Sequence, residues 1–76
     1  GLAAIHVSGT ISAFPYTITD SRITANHRVV NAIFGAPANV TTDVTWTTSA
    51  GSCVFSGTLS SGTTTTIDFE LLPTIS

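Results

Sequence analysis

Hydrophobic and polar residues alternate with a period of two over most of the chain, which is the pattern of half-buried β-strands. The clearest stretch, residues 44–59, predicts a β-hairpin whose two strands are joined by residues 49–52. We expect the apolar face of this hairpin to be the centre of the core, covered by Ile5, Val7, Ile67 and Phe69. The residues that share that face are Val44, Trp46, Cys53, Phe55 and Leu59.

Three further strands follow from the same alternation. Residues 2–13 form the first, and Gly9 falls on its apolar face, which suggests a bulge or a place where an aromatic side chain lies against the backbone. The Phe14-Pro15 pair ends or bends this strand, because proline cannot donate to a central ladder. Alternation resumes over residues 16–19 and again over residues 65–71, where Pro73 closes the last strand.

The segment from Ile23 to Gly35 has two readings. A short helix would begin at an N-cap, Thr24, and end at Gly35. A strand would be apolar on both faces, and β-branched residues favour it. A strand of that kind needs cover on both sides, which in so small a domain points to a partner chain.

Turn residues separate these elements at 20–22, 35–39 and 60–62, where Asp, Ser, Pro and Gly cluster. The sequence therefore predicts one all-β domain over residues 1–76, a small antiparallel β-sandwich or barrel of about six strands.

Size and composition point to self-association. A chain of 76 residues builds only a small core, and its single cysteine excludes an intrachain disulfide. Only 8% of its residues are charged, whereas globular domains average about 25%. Part of the surface is therefore expected to be covered by other copies of the chain.

The same composition argues against several partners. Two arginines and no lysine, with a net charge of −2, do not suit nucleic acid or an anionic membrane surface. No apolar run is long enough to insert into a membrane, and the first residues lack the basic region of a signal peptide. Because the chain begins without Met, we expect it to be a piece of a longer polypeptide.

The titratable residues give no catalytic or metal-binding signature. Asp68 and Glu70 share one face of the last strand, as a calcium site or a glycosidase could use, but a solvated exterior that discourages edge pairing explains them more simply. His6 and His27 have no second ligand at metal spacing. A single histidine repeated about a three-fold axis could hold an ion, a weaker alternative. We expect no metal, no cofactor and no enzymatic activity.

Other residues with possible chemistry also have simpler explanations. Cys53 lies in the apolar phase and is expected to be a buried small hydrophobe. Residues 39–41 match a glycosylation sequon, which matters only in a secreted eukaryotic protein. Phe14, Tyr16 and Trp46 could together form a sugar-stacking platform, although Trp46 in phase with Val44 favours the core.

Two motifs resemble the short C-terminal modules that end tail-fibre and related surface proteins of phages infecting gut Firmicutes. One is D-x-R-I-T-A, here Asp20, Arg22, Ile23, Thr24 and Ala25, and the other is the W-T-T-x-x-G hairpin from Trp46 to Gly51. The resemblance covers residues 20–72. It implies a homotrimeric tip module of a receptor-binding fibre in the virion, where the tip could contact the host surface, and it supplies no catalytic residues.

Our leading hypothesis is therefore a non-enzymatic homotrimer that caps a phage tail fibre. The alternatives are a carbohydrate-binding module that recognises a cell-surface glycan, or a monomeric immunoglobulin-like spacer of a bacterial surface protein with its termini at opposite ends. The apolar residues left over by the core identify the expected oligomer interface as Ile23, Val29, Val30, Ile33 and Phe34.

Overall fold

In a computed structural model, which describes residues 3–74, the chain is an all-β sandwich. Its six strands are β1 (Ile5–Ile11), β2 (Tyr16–Thr19), β3 (His27–Phe34), β4 (Thr45–Ser49), β5 (Ser52–Ser56) and β6 (Thr65–Pro73). They form two antiparallel three-stranded sheets, ordered β1-β6-β3 and β2-β5-β4. The predicted fold class is confirmed, and residues 27–34 are a strand rather than a helix. Leu2, included in the predicted first strand, lies outside the described residues.

The core lies between the two central strands, β5 and β6. The rings of Phe55 and Phe69 meet edge to face with their centroids 4.9 Å apart. Such a pair adds about 0.5–1.5 kcal/mol of stability beyond the burial of its surface. Both side chains are fully buried. The rest of the buried apolar cluster consists of Ile5, Ile11, Ile23, Cys53, Ile67 and Leu71.

The predicted hairpin and its turn are confirmed, but Trp46 is less buried than the prediction of a core residue requires. β4 and β5 pair across the turn at residues 49–52, and Trp46 pairs with Phe55, so Trp46 does lie on the inner face. Because β4 is the edge strand of its sheet, Trp46 remains 41% exposed. Leu59 lies beyond β5, in an isolated bridge with Val40.

Gly9 has the role that its position on the apolar face predicts. A methyl group built at its Cα would lie 2.5 Å from the hydroxyl oxygen of Tyr16, so the tyrosine side chain crosses the β1 backbone where Gly9 leaves room. Tyr16 is half-buried and packs against the core. This contact joins β1 to β2, which are edge strands of the two sheets.

One end of the sandwich carries both ends of the described chain, and we call it the terminal pole. The carbonyl of Ala3 accepts a hydrogen bond from His27 Nε2 at 3.0 Å. Thr74 donates from its backbone N–H and its hydroxyl to the carbonyl of Asn26, at 2.7 and 2.8 Å. Because Asn26 and His27 are adjacent, the two ends lie together. The spacer alternative expected termini at opposite ends, whereas the first and last described residues lie at the same end.

The two motifs that carry the fibre resemblance meet at this pole. The N–H of Asp20 donates to the Gly51 carbonyl at 3.1 Å, and the N–H of Gly51 donates to the Ile23 carbonyl at 2.9 Å. Arg22 closes the turn by donating to the Asp20 carboxylate through its guanidinium and its backbone N–H, which lowers the pKa of Asp20 to about 2. The predicted turn at residues 20–22 is confirmed, and both motifs have a structural role.

Replacing Gly9 with Ala should destabilise the fold, because the new methyl group would overlap the Tyr16 hydroxyl. We expect a loss of about 1–2 kcal/mol in the free energy of unfolding, a typical cost of overpacking. Tyr16→Phe removes the hydroxyl and leaves the ring Cζ, 3.7 Å away, as the nearest atom. In that background Gly9→Ala should cost much less, as urea unfolding of the double-mutant cycle measures. Equal costs in the two backgrounds would contradict the packing described here.

Candidate functional site

The outward surface of the β1-β6-β3 sheet, which we call the outer face, has the most unusual composition. Its side chains follow from the strand register, since residues paired across antiparallel strands point to the same side. His6 and Val30 flank Glu70, while Ser8 and Ile33 flank Asp68. The outer face thus has hydroxyl groups and a histidine along β1, carboxylates along β6 with Leu72 beyond them, and Arg28, Val30 and Ile33 along β3.

A β-bulge places Val30 and Ile33 on the same side of β3. Residues three apart on a regular strand point to opposite faces, but the register between β3 and β6 shifts between these two residues. Asn31 within the bulge has a φ of 54°, a left-handed conformation that Asn tolerates better than most residues. Ile33 is 64% exposed, so the bulge creates an apolar patch that alternation alone does not predict.

The five residues predicted as an oligomer interface are therefore divided between three environments. Ile23 is a core residue, only 1% exposed, in the turn before β3, so its side chain packs inside the described chain. Val29 and Phe34 pair with Leu71 and Ile67 and pack against the core from the inner face. Only two of the five, Val30 and Ile33, lie on the outer face.

The two carboxylates of β6 face outward as expected, but not at an edge. β6 is the central strand of its sheet, so Asp68 and Glu70 cannot serve to discourage edge pairing, and that part of the expectation is wrong. Instead Asp68 holds His6, whose Nε2 lies 3.0 Å from both carboxylate oxygens. This hydrogen bond, together with the negative charge of Asp68, raises the pKa of His6 above its usual value.

The other histidine has a structural role. His27 is 2% exposed, and its Nδ1 accepts a hydrogen bond from the backbone N–H of Thr24 at 3.1 Å. An Nδ1 that accepts carries no proton, so Nε2 is the nitrogen that donates to Ala3. The His27 ring thus ties the turn before β3 to the start of β1.

The three aromatic residues proposed for sugar stacking do not form one platform. Tyr16 and Trp46 pair with Phe55 from opposite sides, so two strand spacings, about 10 Å, separate their backbones. The Tyr16 side chain lies against the backbone of Gly9 and packs on the core. Phe14 lies elsewhere, between β1 and β2, where its ring packs over Gly57.

Phe14 belongs to an open groove at the end of the sandwich opposite the terminal pole, which we call the distal pole. The groove has a volume of about 480 Å³ and lies between residues 12–14, which turn the chain from β1 into β2, and residues 57–64, which connect β5 to β6. The turn predicted at residues 60–62 forms part of its wall. The run of Ser, Gly and Thr from 60 to 66 marks this region in the sequence, but the groove exists only because the 12–14 corner folds against it.

The remaining candidate groups offer little chemistry. Among residues 3–74, no three His, Cys, Asp or Glu side chains come together as a metal site. Burial raises the pKa of the Cys53 thiol to about 11, so the thiol stays protonated. In the described part of the chain, no helix is long and apolar enough to cross a membrane.

Comparison of the chain with protein-family models, with curated proteins and with solved structures finds no match. Proposals about function therefore rest on the geometry of the outer face and the poles.

The His6–Asp68 pair gives the outer face a measurable pH dependence. Because the pKa of His6 is raised in the folded chain, its contribution to stability is fully present below the unfolded value of about 6.5 and is lost as the pH rises through the folded pKa. NMR titration should place the pKa of His6 above 6.5 in the wild type and lower it in Asp68→Asn. Because both side chains are more than half exposed, added salt should reduce the shift. An unchanged His6 titration in Asp68→Asn would contradict the pairing.

Proposed function

We propose that this chain is a non-enzymatic structural module that associates with two further copies of itself and caps the end of a fibre. The observation that carries the proposal is the apolar patch of Val30 and Ile33 on the outer face, with Ile33 64% exposed in a chain that has 8% charged residues. Solvent-exposed apolar side chains that adjoin one another are typical of surfaces covered by a partner.

The outer face suits a second copy better than an unrelated partner. Beyond Arg28, at the start of β3, this face is apolar along β3, so like patches of Val30 and Ile33 gain by removing one another from water. The carboxylates of Asp68 and Glu70 lie one strand away, where they can stay hydrated at the rim of such a contact. His6 partly compensates their charge through its bond to Asp68.

The position of both chain ends supports a terminal module rather than a spacer. A spacer in series transmits the chain from one end of its long axis to the other, whereas here Ala3 and Thr74 both bond to the Asn26–His27 corner. The molecule measures 41 × 19 × 18 Å, and its strands run from the terminal pole to the distal pole. Attached by the terminal pole, the module would present the distal pole outward.

The number of copies and the setting come from the resemblance to phage tail-fibre tips, in the two motifs that meet at Gly51. On that basis the assembly is a homotrimer and the location is the virion, with a bacterial surface protein as the second setting. Association would also stabilise a chain whose small core has no disulfide to support it.

Sedimentation equilibrium at micromolar concentration tests the proposal. The wild-type chain should have three times its chain mass of 7.8 kDa, and Ile33→Asp should have the mass of one chain, because it places like charges at the centre of the contact. Val54→Asp is the matched control: Val54 pairs with Thr17 and Thr47 on the outward side of the other sheet. It should remain trimeric.

A wild-type chain that sediments as a monomer would overturn the proposal. A trimer that Val54→Asp dissociates and Ile33→Asp does not would move the interface to the other sheet, and so would contradict the role given to Val30 and Ile33.

A further inference from the structure

The groove at the distal pole has the chemistry of a site for uncharged, hydroxyl-rich ligands. Its volume of about 480 Å³ lies within the usual range for small-molecule sites. Its lining contains no charged residue, and six of its members carry hydroxyl groups: Ser12, Thr58, Ser60, Ser61, Thr63 and Thr64. A hydroxyl both donates and accepts hydrogen bonds, as do the hydroxyls of a sugar. An anionic ligand would find no cation here.

An aromatic ring lies among these hydroxyls. Phe14 is half-buried, and a methyl group built on Gly57 would lie 3.3 Å from its ring Cζ, so the ring rests directly on the Gly57 backbone. The same added methyl group would lie 3.2 Å from a methyl carbon of Val44, which borders the ring on that side. A ring fixed in this way offers an apolar surface to the C–H face of a sugar ring while losing little conformational entropy on binding.

The wall formed by residues 57–64 is held in place by the neighbouring loop. Asn39 bonds to it twice: its carbonyl accepts from the Ser60 N–H at 2.8 Å, and its side-chain amide donates to the Thr64 carbonyl at 2.8 Å. Thr63 closes the turn by donating to the Ser60 carbonyl from both its N–H and its hydroxyl. A groove that is already ordered avoids the cost of ordering on binding.

We propose that this groove binds a neutral saccharide, with the Phe14 ring against one face of a sugar and the hydroxyls of the 57–64 wall bonded to its edge. A peptide fits the groove less well, because peptides commonly add to a free strand edge and this groove lies between two connections outside β5 and β6. The site is separate from the Val30–Ile33 patch and goes beyond the proposed self-association.

Two alanine positions provide a matched pair for the test. Ala13 is exposed and lines the groove, and Ala50 is exposed in the β4–β5 turn at the opposite pole. Ala13→Trp should fill the groove and abolish binding, whereas Ala50→Trp, which adds the same side chain elsewhere, should bind like the wild type. Circular dichroism and urea unfolding of both variants confirm that each is folded.

A third variant tests the hydrogen bonds. The Thr64 side chain is exposed at the groove, and Thr64→Val keeps its shape while removing its hydroxyl. Loss of one such hydrogen bond should weaken binding by about fivefold. Thr17→Val, on an exposed position of β2, is the control and should leave binding unchanged.

The wild-type chain and these variants are applied to an array of neutral and acidic oligosaccharides, and the retained neutral glycans are then titrated in solution by NMR. Retention of neutral glycans that Ala13→Trp abolishes and Ala50→Trp preserves is the expected result. No retained glycan, retention of acidic glycans alone, or undiminished binding by Ala13→Trp would each overturn the proposal. Displacement of the wild type's glycan by a peptide library would do so too.

These outcomes are distinguishable from those of the self-association test. Ile33→Asp alters a residue that does not line the groove, so the folded variant should still bind the glycan if the groove is the site. A trimer that binds no glycan refutes only the groove, and a monomer that binds a glycan refutes only the trimer.

Discussion

The packing of β5 against β6 is the contact on which the rest of the molecule depends. Each sheet has only three strands, and the two central strands supply most of the fully buried apolar residues, of which Phe55 and Phe69 are the largest. Truncating a buried phenylalanine typically costs about 3–5 kcal/mol, and small domains have a total stability of about 5–15 kcal/mol. A chain without a disulfide cannot lose this contact and keep its two sheets together. The edge strands, the turns and both poles are placed by it.

The proposed functions depend on the ends and the outer face of this small sandwich. One pole holds both ends of the described chain in a network of hydrogen bonds around His27 and Asn26, while the other leaves a groove between two connections. Between the poles, a single extra residue in β3 brings Val30 and Ile33 onto the outer face. The proposed attachment, self-association and ligand contact would therefore use three separate surfaces. The thiol of Cys53 is buried, and His27 serves as a structural tie within the terminal pole.

Several features were predictable because they rest on local alternation and turn chemistry. The hairpin across residues 49–52, the strand over 27–34 and the close approach at Gly9 all follow from which residues are apolar, branched or lack a side chain. Within the predicted interface, Ile23 looks the same in sequence as Ile33, but the two side chains lie in different environments. The former is buried by the turn that Asp20 and Arg22 close, whereas the latter is turned outward by the bulge.

The sequence by itself determined the fold class, most of the strand positions, and the shortage of charge that makes a bare surface unfavourable. Each of these depends on neighbours in the chain or on composition. Only the tertiary structure decided that Asp68 and Glu70 lie on a central strand and that Trp46 lies on an edge strand. It also decided that both ends of the described chain lie at one pole, and that Phe14 lines a groove with residues 57–64. These features depend on the pairing of the strands and on the register shift in β3. Strand pairing and register are both set by contacts between residues far apart in the chain.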